Sequence, residues 1–180
     1  KVKQYDIVFL DEFQDTNFAQ NELAILLAGE TPNITVVADD DQAIYRWRGA
    51  SFSNIIQFKK DFPKVKQISL VKNYRSAQDI LDLAYRFIKA NDPDRLECVS
   101  KISKKLEANN TGPGFIEHIH AKSLDEEVGA VIKKISEILK KDKEASYGDI
   151  AILVRANDTA NPFIKALERA GLPYQFLASR

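Results

Sequence analysis

Apolar positions along this chain come in short runs that end abruptly in acids. Ile7-Val8-Phe9-Leu10 passes straight into Asp11 and Glu12, and Ile34-Thr35-Val36-Val37-Ala38 passes into Asp39, Asp40 and Asp41. Runs of this length without polar alternation predict strands buried on both faces, here over 5–11 and 34–38, as in parallel sheets. Between them, Thr16 or Asn17 can cap a helix carrying Leu23, Leu26 and Leu27, which stops at Gly29 and the Thr31-Pro32-Asn33 turn. The order strand, helix, strand predicts neighbours in one parallel sheet, with both acidic ends at one edge. Open α/β sheets place their ligands at that edge.

A short helix is predicted over 53–62, closed by Pro63. The pattern then restarts. A strand is predicted at 65–71, and Ser76, with Asp79 three residues on, is expected to cap a helix whose Ile80, Leu83, Ala84, Phe87 and Ile88 share one face. Residues 91–114 are polar and irregular and read as a surface excursion. Strands are predicted at 115–121, 150–154 and 173–177. Ser123 and Glu126 form a capping box for a helix carrying Leu124, Val128, Val131, Ile132, Ile135 and Leu139 on one side. A last helix spans 158–170 and is stopped by Gly171. The chain thus reads as two α/β pieces with a boundary near 63–73. The first piece has too little apolar area to stand alone and is expected to belong to a larger sheet whose other strands precede Lys1.

With 180 residues, 44% hydrophobic and 29% charged, the composition is that of an ordinary globular protein. No run approaches the ~20 apolar residues of a membrane span, so no membrane partner is expected. The opening Lys1-Val2-Lys3-Gln4 is neither a signal peptide nor an initiator methionine, and a start in mid-protein is expected. A single cysteine, Cys98, excludes an internal disulfide framework and fits a cytoplasmic, reducing location.

Zero net charge conceals an asymmetry. Nine acids and no Lys or Arg lie between Asp6 and Asp41, whereas eight basic residues and one acid lie between Arg46 and Arg75. Carboxylates converging on one sheet edge repel unless a cation sits among them. The acidic stretch therefore calls for a metal, or for basic partners that the chain is not expected to supply. The basic stretch calls for phosphates.

Certain residue types in these stretches can carry chemistry. An Asp at a strand end, such as Asp11, can hold a magnesium ion that bridges nucleotide phosphates, and a Glu beside it, Glu12, can orient or deprotonate a water. A neutral amide such as Gln42 can report whether a terminal phosphate is present. Tyr45 and Trp47, flanked by Arg46 and Arg48, offer flat faces for base stacking alongside positive charge. Arg75, just beyond the expected boundary, can reach a phosphate bound by the first piece, as an arginine finger does. His118 and His120 alternate on a predicted strand, and with no third ligand nearby they read as an ordinary strand face.

Asp11-Glu12-Phe13-Gln14-Asp15-Thr16, then residues 39–50, then Asn73-Tyr74-Arg75-Ser76 resemble, in order and separation, motifs II, III and IV of the UvrD/Rep/PcrA-like superfamily 1 DNA helicases. The resemblance continues through 149–157 and 170–174, which are similar to the second motor domain just before its large insertion. It implies an α/β fold made of parts of two RecA-like P-loop NTPase domains, with parallel sheets flanked by helices. Residues 1–66 would be the C-terminal part of the first domain and 67–180 the N-terminal part of the second. It also implies ATP and Mg2+ as cofactors, and single-stranded and duplex DNA as partners.

The implied roles map onto the motifs residue by residue. Asp11 would hold magnesium and Glu12 would be the general base for ATP hydrolysis. Gln42 would sense the γ-phosphate, Tyr74 would stack on adenine, and Arg75 would contact the γ-phosphate across a cleft. Tyr45 and Trp47 would stack on single-stranded DNA bases, Arg48 would link the DNA and nucleotide sites, and Arg155 and Asn157 would contact the strand. Ala38 departs from the family's usual Gly and would be strained if that position needed positive φ.

The sequence has no Gly-x-x-x-x-Gly-Lys-Ser/Thr phosphate loop, and motifs V and VI are also missing. Segments of a parent chain are expected to supply them, and the 180 residues alone are expected not to hydrolyse ATP. Two other readings remain: the helicase part of a helicase-nuclease, and a non-catalytic nucleic-acid-binding module. A stand-alone metal-dependent hydrolase built on Asp11, Glu12, Asp15 and Asp39 would leave Tyr74 and Arg75 unexplained.

Overall fold

The computed structural model describes residues 5–29, 33–44, 53–110 and 112–177. Two compact units divide the chain, Lys1–Phe115 and Ile116–Arg180. The fold is α/β, with two short parallel sheets and helices around them.

In the first unit, β1 (Val8–Leu10) and β2 (Ile34–Val36) pair in parallel, with Val8 opposite Ile34 and Leu10 opposite Val36. The helix between them, α1 (Phe18–Ala28), starts from an Asn17 cap. The Asn17 side chain accepts from the Gln20 N–H while the Gln20 side chain accepts from the Asn17 N–H, so two otherwise orphaned donors are satisfied. The helix ends at Gly29, whose φ of 76° glycine adopts without steric cost. Helix α2 (Ser53–Asp61) lays Ile55 and Phe58 against Phe13 and Leu96, and these four form the buried cluster. Phe13 and Phe58 meet edge to face with ring centroids 5.6 Å apart.

The expected strand at 65–71 is not a strand; the ladder begins only beyond it, at β3 (Lys72–Asn73), which pairs in parallel with β4 (Glu107–Ala108). Helix α3 (Gln78–Ile88) lies between them in sequence, and its Gln78 side chain accepts from the Ala108 N–H and donates to the Leu106 carbonyl. Ser76 does not cap this helix. Asn73 takes over the turn instead, its side-chain oxygen accepting from the Arg75 and Ser76 N–H groups. On the predicted apolar face Ile80 is 40% and Phe87 79% exposed, while Leu81 is the helix's buried residue. Residues 91–114 are more than a surface excursion. They hold α4 (Leu96–Ser100) and β4, and they bury Arg95 and Leu96.

The second unit is built on α5 (Leu124–Lys141) and α6 (Asn161–Arg169). Its buried residues include Val128 and Ile135 from α5 and Phe163 and Leu167 from α6. Ser123 caps α5 by accepting from the Glu126 N–H, whereas the Glu126 carboxylate accepts from the Lys122 N–H. Gly171, at φ 65°, closes α6 and lets the Leu172 N–H turn back to the Leu167 carbonyl. The predicted strands at 115–121, 150–154 and 173–177 are not strands among the described residues. Leu153 stands 93% exposed, so the 150–154 run is not buried. An apolar run becomes a strand only when another backbone pairs with it, and these runs have no ladder among the described residues.

Candidate active site

The two acidic strand ends lie side by side because the β1–β2 pairing continues beyond the strands. Val37 N–H donates to the Leu10 carbonyl at 2.8 Å, and Phe13 N–H donates to the Val37 carbonyl at 2.9 Å. Between those bonds the chain must leave the strand and drive Phe13 into the core. It does so at Glu12, whose φ and ψ of 49° and 42° are left-handed. A non-glycine residue there is uncommon and strained. Burial of the next two side chains offsets the strain, since Phe13 and Gln14 are 0% and 1% exposed.

Gln14 spans both strand ends. Its Nε2 donates to Glu12 Oε2 at 2.6 Å, and its Oε1 accepts from the Asp39 N–H at 3.0 Å. Asp39 then begins the turn Asp40–Gln42, accepting from Asp41 N–H through Oδ1 and from Gln42 Nε2 through Oδ2 at 2.8 Å. Asp11 Oδ1 accepts from the Glu12 N–H. Asp11 and Glu12 are solvent-exposed, as is the hydrogen bond that Gln42 makes to Asp39. Ala38 is not among the described residues at positive φ, so alanine fits the turn without strain.

The three consecutive aspartates bring ligand oxygens within 4.8 Å of one another. Contrary to expectation, the chain itself supplies their cations. Lys104 Nζ donates to Asp39 Oδ1 at 2.6 Å, Asp40 Oδ1 at 2.5 Å and Asp41 Oδ2 at 2.8 Å. Arg95 grips Asp41 with two parallel bonds of 2.7 and 2.8 Å, the fork geometry in which guanidinium binds carboxylate best. Asp40 also accepts from the Leu96 N–H at 2.7 Å, at the first turn of α4. Burial disfavours the Lys104 charge, yet its bonds to Asp39, Asp40 and Asp41 outweigh that and raise its pKa. Burial likewise pushes the Asp41 carboxyl upward, but Arg95 and Lys104 together hold it below the usual range. Hydrogen bonding to Asp41 raises Arg95 in spite of its burial. Glu97 and Asp92 complete the Arg95 surroundings, with the Tyr85 ring 5.6 Å away.

Sequence alone does not single out Arg95 and Lys104, because they sit in the polar stretch that reads as an excursion. The unmatched acids of 6–41 are the only signal that distant basic partners must exist.

Comparison with known proteins gives these strand ends a lineage. Residues 2–63 match the UvrD/REP helicase N-terminal domain model, and residues 68–179 match the UvrD-like helicase C-terminal domain model. The chain belongs to the UvrD-like helicase family. It is 35% identical over 175 residues to an ATP-dependent DNA helicase PcrA of Leuconostoc citreum, covering 97% of this chain and 22% of that protein. It is 38% identical over 172 residues to an ATP-dependent DNA helicase Rep of Buchnera aphidicola, covering 96% of this chain and 25% of that one. The chain thus spans about a quarter of the length of these relatives.

In this UvrD-like chain, Tyr74 is 68% exposed, and its carbonyl accepts from the Asn110 side chain. Arg75 is exposed, and its guanidinium has no ion pair among the described residues. Arg155 and Asn157 are exposed in the second unit. Tyr45, Trp47 and Arg48 lie outside the described residues. His118 and His120 face each other edge to face at 6.2 Å, with no third ligand grouped with them among the described residues. The two family models meet between 63 and 68, whereas the compact units divide after Phe115. The Arg95 and Lys104 bonds tie residues 95–104 to the acidic strand ends, and the β3–β4 pairing closes residues 72–108 into one piece with them.

Proposed function

We propose that these 180 residues work as part of a larger ATP-dependent DNA helicase, which couples ATP hydrolysis to movement along single-stranded DNA and to duplex unwinding. The observation that carries this is the linked set at the strand ends: Glu12, Gln14, Asp39 and Gln42, joined by consecutive hydrogen bonds at the carboxyl edge of a parallel sheet. The relatives' names and their length support a larger parent, whose remaining segments supply the phosphate loop and the later motifs. We draw the domain boundary at 66/67, which the gap between the two family models leaves open.

In this reading Glu12 takes the proton of the attacking water, and Gln42 and Arg75 contact the γ-phosphate, while Tyr74 stacks on the base. Asp11 holds Mg2+. Its Oδ1 is bound by the Glu12 N–H, and its Oδ2 is without a hydrogen bond among the described residues, so that oxygen would be the one to hold a hard cation. Magnesium supplies charge neutralisation at the phosphates. Tyr45, Trp47 and Arg48, with Arg155 and Asn157, contact DNA. Among the described residues no helix is long and apolar enough to cross a membrane, and we place the parent in the cytoplasm.

The test is a DNA-stimulated ATPase and strand-separation assay on the longer polypeptide, with Glu12→Gln as the diagnostic variant. Loss of turnover with retained ATP binding is expected. Undiminished turnover in Glu12→Gln, or turnover by the 180 residues alone, would overturn the reading.

A further inference from the structure

We infer that Gln14 is the positioning residue for Glu12, and that it makes the orientation of the catalytic base depend on the loop that begins at Asp39. The inference rests on the helicase reading above and adds a residue and a route of coupling to it.

The geometry has three parts. Glu12 is exposed, and a free glutamate side chain spreads over several rotamers. The left-handed backbone at Glu12 sets where the side chain starts but not where it ends. Among the described residues, one side-chain donor reaches that carboxylate, Gln14 Nε2 at 2.6 Å.

Gln14 can orient Glu12 because it is itself fixed. It is 1% exposed, and its neighbour Phe13 is locked in the core against Phe58. The acceptor end of the same amide holds the Asp39 N–H at 3.0 Å. An amide is the group for this task, since it donates from one end and accepts at the other. Glutamate could accept from Asp39 but would repel Glu12, and methionine would fill the space with neither bond.

The hydrogen bonds then run on from Asp39 Oδ2 to Gln42 Nε2 at 2.8 Å. Glu12 and Gln42 are 30 positions apart in sequence, and three consecutive bonds connect them. A shift of the Asp39 loop pulls on the Gln14 amide and moves the base. Ground-state binding of nucleotide does not need this connection, whereas proton abstraction from water does.

Two variants in the full-length helicase separate positioning from packing. Gln14→Met removes both bonds at nearly constant volume, and Gln14→Glu keeps the acceptor for Asp39 while removing the donor to Glu12. Both are expected to lower kcat by roughly 10- to 100-fold with little change in the KM for ATP. Added to Glu12→Gln, Gln14→Met is expected to cause no further fall, because the base it positions is already gone. Gln14→Glu buries a carboxylate beside Glu12 and is expected to lower the unfolding temperature, so kcat is compared well below that transition, and Gln14→Met, which adds no charge, serves as the packing control.

Wild-type kcat in Gln14→Glu would overturn the inference, since a role limited to tethering Asp39 is restored by glutamate. A further fall in the Glu12→Gln background would overturn it as well. Full activity in Glu12→Gln alone would instead defeat the helicase reading.

Discussion

Lys104 donates to Asp39 at 2.6 Å across 65 positions of sequence. Its side chain is 15% exposed, and the same ammonium also contacts Asp40 and Asp41. Removing it leaves three adjacent carboxylates with Arg95 as their remaining cation among the described residues. Breaking a buried pair on one side costs about 3–5 kcal/mol, but the Asp39 side chain is 38% exposed and water screens part of that. Lys104→Met is expected to destabilise the 180-residue chain by about 1–3 kcal/mol in urea unfolding. A loss under about 0.5 kcal/mol would make the cluster an ordinary surface ion pair.

The same cluster sets the pH range of stability. Asp41 has a lowered folded pKa, so its contribution is present above the unfolded value of about 3.9 and is lost as pH falls through the folded one. Lys104 has a raised folded pKa. Its contribution is full below the unfolded value of about 10.4 and is lost as pH rises through the folded one. Arg95 stays protonated throughout. The urea midpoint is expected to be flat with respect to these groups between about pH 5 and 10 and to fall on both sides, with Lys104→Met removing most of their alkaline fall. An unchanged alkaline limb in that variant would rule out Lys104 as its source.

The aromatic contact beneath the strand ends should be the most sensitive point of the first unit. Phe13→Ala or Phe58→Ala is expected to cost about 3–5 kcal/mol, because each leaves a cavity in a closed cluster. Phe87→Ala, at a ring 79% exposed, is expected to fall within about 0.5 kcal/mol of the parent. Equal losses at the buried and exposed positions would mean that the core lies elsewhere.

Turnover and DNA grip should separate in the full-length protein. Arg75→Ala is expected to reduce ATP turnover about 100- to 1000-fold while leaving single-stranded DNA affinity intact. Trp47→Ala is expected to weaken that affinity by about 1–3 kcal/mol, the value of one stacked base. ATPase kinetics and fluorescence anisotropy with a labelled oligonucleotide read the two effects. If both variants change only the unfolding temperature, neither residue has the role proposed.

Local signals are legible where one segment decides its own structure. The Asn17 cap of α1 and the glycine stops at Gly29 and Gly171 arise from a few neighbouring residues, and the β1–β2 pair follows from the strand, helix, strand order that those signals punctuate. The runs at 65–71 and 150–154 mislead for the opposite reason, because an apolar run cannot show whether a second backbone will lie beside it. Ser76 does not cap the helix because its own N–H is drawn, with that of Arg75, to the Asn73 side-chain oxygen, and Ala77 stands at the N-cap without a side-chain bond. At the candidate site the motif residues stand out through their strand ends. Arg95 and Lys104 do not, because a partner 54 to 65 positions away leaves no local pattern.

Lys104 finally decides what the aspartate triplet can accept. Its ammonium already contacts all three carboxylates, so a dication entering there would have to displace the lysine head, while Arg95 and the Leu96 N–H still hold Asp41 and Asp40. The polypeptide itself supplies two cations, Lys104 and Arg95, to these three carboxylates. Magnesium titrated into the protein therefore meets competition at Asp39, Asp40 and Asp41 and none from this lysine at Asp11.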